Sequence, residues 1–110
     1  MITATFFKDS KGSIKGFSLT GHAGYAKHGS DIICAGVSAL AINTVNSIDV
    51  LTDDKGTANV DENTGTLTFY IDGKASDKSV LLIDSLILGL KGIMKEYGSE
   101  NYLQILFKEV

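Results

Sequence analysis

Two long segments with helical spacing, set among short segments with strand spacing, constrain the fold of this chain most. The first begins after Asp31 and repeats apolar or small residues every three or four positions, and "TDDKG" ends it. The second, capped by Ser76 or Asp77, has a wider apolar face. The predicted buried residues are Ile33, Val37, Leu40, Thr44, Ile48 and Leu51 in the first helix, and Val80, Ile83, Leu86, Ile87, Leu90, Ile93 and Met94 in the second.

Five segments around these helices have the composition of β-strands. They are "MITATFFK", "IKGFSLTG", "TANVD", "TLTFYID" and "ENYLQILFKEV". "DSKGS" and "ENTG" join neighbouring strands as hairpin turns, with Asn63 and Gly65 supplying the second turn. The aromatic pairs Phe6–Phe7 and Phe69–Tyr70 fit a core or a sheet surface better than a base-stacking platform.

The predicted element order is therefore ββαββαβ. We expect an α+β domain in which two long helices pack on a five-stranded, mostly antiparallel sheet. The length of 110 residues fits one domain over residues 1–110, with no linker and no proline. The second helix is apolar around more than half of its circumference, so we also expect a homodimer that covers part of it.

Charge and hydropathy argue against nucleic-acid and membrane partners. The net charge is −3, and the ten lysines are scattered without any arginine, so no concentrated positive field is expected for nucleic acid. The longest apolar run, "VLLIDSLILGLKGIM", is interrupted by Asp84 and Lys91 and is too short to span a bilayer. The N-terminus does not resemble a signal peptide, and the single cysteine suits a reducing compartment. We expect a soluble cytoplasmic protein.

The reactive side chains are concentrated in residues 21–40, "GHAGYAKHGSDIICAGVSAL". Both histidines of the chain, His22 and His28, and its one cysteine, Cys34, lie within thirteen positions, among four glycines. With Asp31 as the N-cap, Cys34 is the third helical residue, where free amides and the helix dipole favour an anion. A thiolate there would be a nucleophile, and His22, at the end of a strand, could serve as its general acid and base.

Other residues of this segment have predicted supporting roles. The amides around Cys34 are expected to stabilise an oxyanion, and Ser38 lies one turn further on the same face. Asp31 either caps the helix alone, or also orients His22 or holds the loop. Gly21, Gly24, Tyr25 and Gly29 belong to a predicted substrate loop, where glycines allow movement and close approach. The apolar neighbourhood of Ile32, Ile33 and Tyr25 suggests a hydrophobic peptide.

Other interpretations of the same residues are weaker. Cys34 could be a packed apolar residue, and His28 an ordinary loop histidine. His22, His28 and Cys34 could bind zinc, but their spacing matches no common structural site and a fourth ligand is not evident, so we expect no metal and no cofactor. A phosphate-binding loop lacks its GK[ST] ending, and a redox role lacks a resolving cysteine.

The segment closely resembles the signature of the ribosomal-processing cysteine proteases, the Prp family of bacteria. Its pattern is GHA followed about a dozen residues later by D-I-[VI]-C-A-x-V-S. The resemblance implies that His22 and Cys34 form the catalytic dyad, that Asp31 and Ser38 occupy the supporting positions, and that His28 has no assigned role. Gly36 stands where the family often has alanine.

The resemblance further implies a homodimeric endopeptidase that removes a short N-terminal extension from the large-subunit ribosomal protein bL27. Cleavage would follow a phenylalanine in a hydrophobic motif, and the glycine loop would cover the peptide. The alternative function is a non-catalytic ribosome-assembly or peptide-binding module with a packed cysteine.

Overall fold

The computed structural model describes residues 1–21, 31–96 and 102–110. The element order is that expected, ββαββαβ. The strands are β1 (Ile2–Lys8), β2 (Ile14–Thr20), β3 (Gly56–Asp61), β4 (Thr66–Ile71) and β5 (Leu103–Glu109), and the helices are α1 (Ile32–Leu51) and α2 (Asp77–Glu96). The predicted α+β class, with two long helices and a five-stranded, mostly antiparallel sheet, is confirmed.

The strands form one sheet in the order β3-β4-β2-β1-β5. Neighbours pair antiparallel except β1 and β5, which are parallel. The parallel pair follows from the connections: each helix carries the chain back along the sheet, so the strands before and after it point the same way. The helix α1 connects β2 to β3, and α2 connects β4 to β5.

Both helices contribute to a single core with one face of the sheet. Cross-strand register places a continuous row of apolar side chains on that face, and Phe6, Phe17 and Phe69 form its aromatic centre with ring centroids 5.8 Å apart in each contact. The opposite face is rich in threonine and serine. There Phe7 stacks on Tyr70 with ring centroids 5.0 Å apart, above the strand position of Gly16.

The helical stripes agree with prediction except at Leu40, which is only partly buried, and at the ends of the helices. In α1 the buried residues are Ile33, Val37, Ala41, Thr44 and Ile48. Leu51, predicted to be buried, is largely exposed because it lies in the last turn, beyond the edge of the core. In α2 Ile83, Leu86, Ile87 and Leu90 are buried, whereas Val80, Ile93 and Met94 are only partly buried.

By length and composition α1 would pass as a membrane-spanning helix, although the expectation of no membrane span rests on the apolar run of α2. A core helix passes the same test, and α1 packs its buried stripe into the core shared with α2 and the sheet. The stripe accounts for part of the apolar composition of α1, whereas Ile32, Ile42, Val50 and Leu51 are exposed.

The two helices are antiparallel, so their N-termini lie at opposite ends of the sheet. The N-terminus of α1 lies where β2 ends, where β1 and β5 begin and where the β3–β4 hairpin turns. Elements that are distant along the chain therefore meet beside Cys34.

Candidate active site

The first turn of α1 is capped by Asp31, as the sequence predicts. Asp31 has an extended backbone, and its Oδ1 accepts hydrogen bonds from the amides of Ile33 at 2.9 Å and Cys34 at 3.1 Å. Its side chain is largely buried. Cys34 is consequently the third helical residue, half-buried in the first turn at the positive end of the helix dipole.

The cap changes the expected oxyanion site. The amides of Ile33 and Cys34 were predicted to point at a substrate oxygen, but both donate to the Asp31 carboxylate. The next amide, that of Ala35, donates to the backbone carbonyl of Asp31 in the first intrahelical hydrogen bond. The amides of Ile33, Cys34 and Ala35 therefore already donate hydrogen bonds to Asp31. The prediction that amides around Cys34 point at a substrate oxygen is wrong for this structure.

Cys34 lines a groove of about 330 Å³ between the first half of α1 and the sheet. Gly21 and Ser38 line the same groove, so three of the residues singled out from the sequence are brought together. The remaining lining residues are mostly apolar: Ile2, Leu19, Val37, Ile42, Val60, Gly65 and Leu67. The site is therefore a hydrophobic cleft with a thiol at one wall.

Gly21 occupies a position that only glycine fits. Its φ is +86°, a left-handed conformation that disfavours other side chains, and a Cβ on it would collide with the carbonyl oxygen of Met1. The two constraints fix the direction in which the chain leaves β2 toward His22. The predicted loop residue Gly21 thus serves to set this exit angle.

Several predicted site residues lie outside the described part of the chain. They are His22, Gly24, Tyr25, His28 and Gly29. The sulfur-to-imidazole geometry on which the dyad depends is therefore still a prediction. The described residues contain no cluster of three or more histidine, cysteine or acidic side chains arranged to hold a metal.

Of the apolar neighbourhood expected around the start of the helix, Tyr25 lies outside the described residues, and neither Ile32 nor Ile33 lines the groove. Ile33 is only 1% exposed and belongs to the core, and Ile32 is exposed but does not line the groove. The apolar walls come from β1, β2, the middle of α1 and the β3–β4 hairpin. Val60, Gly65 and Leu67 are not predictable as site residues, because the strand order, and not any local pattern, brings the hairpin to Cys34.

Comparison with known proteins identifies close relatives along nearly the entire chain. The ribosomal processing cysteine protease Prp of Bacillus subtilis is 36% identical over 101 residues, with 88% of this chain and 90% of that protein covered. The protein of the same name from Staphylococcus aureus is 31% identical over 98 residues, with 89% and 92% covered.

Solved structures give the same result. A crystal structure of the S. aureus protease with a covalently linked product peptide matches with a TM-score of 0.87 at 30% identity, covering 98% of this chain and all of that one. The same protease with a substrate peptide matches with a TM-score of 0.83 at 27% identity and the same coverage. SMU.848 from Streptococcus mutans matches with a TM-score of 0.79 at 31% identity, covering 100% of this chain and 96% of that one.

These relatives also fit the geometry of the site, in which a lone thiol at a helix N-terminus lines a cleft that could hold a peptide. A profile of the family described as cysteine protease Prp matches residues 1–102. The chain belongs to the cysteine protease Prp family and is a cysteine protease.

Proposed function

We propose that this protease removes the N-terminal extension of the large-subunit ribosomal protein bL27, with Cys34 as nucleophile and His22 as its acid–base partner. The observation that carries the proposal is that Cys34 and Gly21, the residue directly before His22, line one apolar groove. The names of the B. subtilis and S. aureus relatives, and the peptides bound to the latter, support a ribosomal-protein substrate.

The proposed reaction proceeds through an acyl-enzyme. The Cys34 thiolate attacks the scissile carbonyl carbon, and the tetrahedral intermediate collapses as His22 gives a proton to the leaving amine. The product is a thioester between Cys34 and the N-terminal fragment. Water that has lost a proton to His22 then attacks the thioester, which releases the fragment as a carboxylic acid and regenerates the thiol.

Helix α1 supports this chemistry through its dipole, because the positive end of the helix stabilises negative charge on the sulfur and on the nearby carbonyl oxygen. The Asp31 carboxylate, buried in the same turn, acts in the opposite direction. The proposed role of His22 resolves this conflict, because an imidazolium beside the sulfur offsets the carboxylate charge.

The test is cleavage of a bL27 precursor by purified variants. Cys34→Ala should abolish cleavage, and His22→Ala should reduce it by at least about 100-fold, the lower range for loss of a general acid–base group. His28→Ala is the matched control, since it removes the other histidine of the same segment, and it should retain activity. Cleavage by the Cys34→Ala protein would contradict the proposal.

We also propose that the protease is a cytoplasmic homodimer. The outward face of α2 carries two leucines one heptad apart, Leu81 and Leu88, both mostly exposed. A second copy could bury them, and the single cysteine is compatible with a reducing cytosol. Light scattering at micromolar concentration should give twice the 11.7 kDa mass of one chain, and Leu88→Glu should lower it. A monomeric mass for the unmodified protein would contradict the dimer.

A further inference from the structure

The edge strand β3 extends the sheet beyond the two helices. Its helix-facing residues are Gly56, Ala58 and Val60, because each pairs with a β4 residue that packs into or against the core. Every residue of β3 is nonetheless exposed. A strip of the sheet is therefore left open beside α1, and we call the space between that helix and β3 the α1–β3 trough.

The groove of the thiol occupies one end of this trough, and a second cavity of about 120 Å³ lies further along it. Ile42 lines the groove, and Val45 and Asp49, three and seven positions later on the same side of α1, line the second cavity. On β3, Val60 lines the groove and Ala58 the cavity. The second cavity, here the distal cavity, is lined by Val45, Asn46, Ile48, Asp49, Gly56, Ala58 and Phe69.

The distal cavity lies too far from the thiol to contact the residues next to the scissile bond. Asn46 comes twelve positions after Cys34 in α1, which at about 1.5 Å per residue separates them by about 18 Å along the helix axis. An extended peptide advances about 3.3 Å per residue. A peptide that has its scissile bond at Cys34 and follows the trough therefore reaches the cavity with its fifth or sixth residue.

The distal cavity combines an apolar floor with a polar rim. Phe69 is buried and lies so close to β3 that a Cβ on Gly56 would be 2.5 Å from its Cε1, so the bare glycine leaves the ring as the floor. At the rim, the side chains of Asn46 and Asp49 are exposed and have no hydrogen-bond or ion-pair partner among the described residues. A lysine or arginine side chain suits this combination, because its methylene stem covers apolar surface while its charged end stays at the rim.

We infer that the distal cavity is a remote subsite, which binds a lysine or arginine side chain of the precursor five or six residues from the scissile bond. Two observations favour this occupant: the trough is continuous with the groove of the thiol, and Asp49 offers the opposite charge. A volume of about 120 Å³ holds one side chain, whereas small-molecule pockets begin at about 300 Å³. Ribosomal proteins offer such side chains, since lysine and arginine neutralise RNA phosphates. The inference rests on the proposed function, because it extends the binding of the same precursor.

Charge recognition is tested with Asp49→Lys and a set of precursor peptides. The peptides carry Lys, Ala or Glu at each position from four to seven residues away from the scissile bond, on either side. At one position kcat/KM should favour Lys over Glu, and Asp49→Lys should lower that preference at least about fivefold. The change should appear in KM with kcat unaltered, because a contact so far from the reacting atoms is equally strong in the ground and transition states.

The matched control is Asp84→Lys, which reverses the charge of an exposed aspartate on α2 outside both cavities and should keep the preference. High salt should weaken the preference in the unmodified protein, since an ion pair near the surface is screened. The inference is wrong if the unmodified protein shows no preference for Lys over Glu at any position, or if Asp49→Lys leaves that preference unchanged.

Access to the cavity is tested with Ala58→Ile. The larger side chain would fill the cavity from the strand side, and its β-branched shape suits an exposed strand. The preference for Lys over Ala at the selected position should be lost. Thr57→Ile is the matched control, because Thr57 pairs with Tyr70 on the opposite face of the sheet, and it should keep the preference.

Binding separates a failure of this inference from a failure of the proposed function. In a Cys34→Ala background, a fluorescent precursor peptide with Lys at the selected position should bind at least about fivefold more weakly when Asp49→Lys is added. Equal binding with and without Asp49→Lys would overturn the remote subsite and leave the proposed nucleophile intact. Residual cleavage by Cys34→Ala would instead overturn the nucleophile, whatever the Asp49 variant does.

Discussion

At the scale of single residues, Asp31 and Cys34 share the first turn of α1 with opposing electrostatic effects. Asp31 stabilises the helix start by accepting two amide hydrogen bonds, and the same carboxylate disfavours negative charge on the neighbouring sulfur. The residue that fixes the position of the thiol therefore also places a carboxylate in the same helical turn. The role proposed for His22 is to offset this negative charge as an imidazolium.

Substitution of Asp31 separates its capping role from any role toward the histidine. Asp31→Ala should lower the free energy of unfolding by about 1 kcal/mol through loss of the cap, whereas Asp31→Asn, which can still cap, should lose much less. Urea unfolding measures both. If activity falls only in Asp31→Ala and in proportion to stability, capping is the sole role; loss of activity in the stable Asn variant would show that the charge also orients His22.

The helical glycines offer a second prediction at this scale. A Cβ on Gly36 would lie 3.4 Å from Ile93 Cδ1, an ordinary contact, and one on Gly92 would meet nothing within 4 Å. Gly36→Ala and Gly92→Ala should each raise the free energy of unfolding by about 0.5–1 kcal/mol. Gly89→Ala is the contrast, because its Cβ would lie 2.9 Å from Leu40 Cδ1, and it should gain less or lose stability. Equal effects in all three would contradict the packing argument.

At the scale of elements, the loop after α1 is joined to the start of α2 by a single carboxylate. Asp54 Oδ2 accepts hydrogen bonds from the Ser79 hydroxyl, the Ser76 hydroxyl at 2.7 Å and the Ser76 amide at 3.0 Å. These bonds, that from Ser79 above all, hold the pKa of Asp54 below its ordinary value. The Ser76 hydroxyl oxygen also accepts a hydrogen bond from the Ser79 amide, so Ser76 caps α2 as the sequence predicts.

This arrangement predicts a pH-dependent contribution to stability. Because the folded-state pKa of Asp54 is lowered, its contribution is complete above the unfolded-state pKa of about 3.9 and is lost as the pH falls through the folded-state value. Asp54→Asn should therefore reduce the free energy of unfolding by about 1 kcal/mol at pH 6, and the difference from the unmodified protein should shrink below about pH 4. Urea unfolding between pH 3 and pH 7 measures it.

The adjacent carboxylate provides the control for that experiment. Asp53 is exposed and takes no part in the contacts that join Asp54 to α2, so Asp53→Asn should change stability little across the same pH range. A deficit in Asp54→Asn that stays constant from pH 7 to pH 3 would contradict the assigned role of the charge.

At the scale of the whole molecule, the two helical connections determine where the active site lies. Helix α1 returns the chain so that β3 and β4 end their hairpin beside the strand end that precedes His22. One groove is then lined by Gly21, Cys34 and Leu67, although up to 46 positions of the chain separate them. The site exists only in the assembled sheet.

The features that could be predicted from the sequence are local, and those that could not depend on how the sheet is assembled. The spacing of apolar residues and the turn chemistry of Asp61 to Gly65 are local, so the element order and the position of Cys34 in α1 follow from the sequence. The strand order, the parallel β1–β5 pair and the contact of Asp54 with α2 depend on tertiary packing. For that reason the sequence located the thiol but missed Val60, Gly65 and Leu67 around it.

The central claim is that Cys34 becomes covalently linked to the N-terminal side of the cleaved bond. The most direct measurement is intact-mass spectrometry of the protein rapidly quenched in acid after mixing with a bL27 precursor peptide. We expect a transient adduct with the mass of the N-terminal fragment minus one water, mapped to Cys34 and absent from Cys34→Ala. Cleavage that proceeds at the full rate in the Cys34→Ala protein would contradict this role of Cys34.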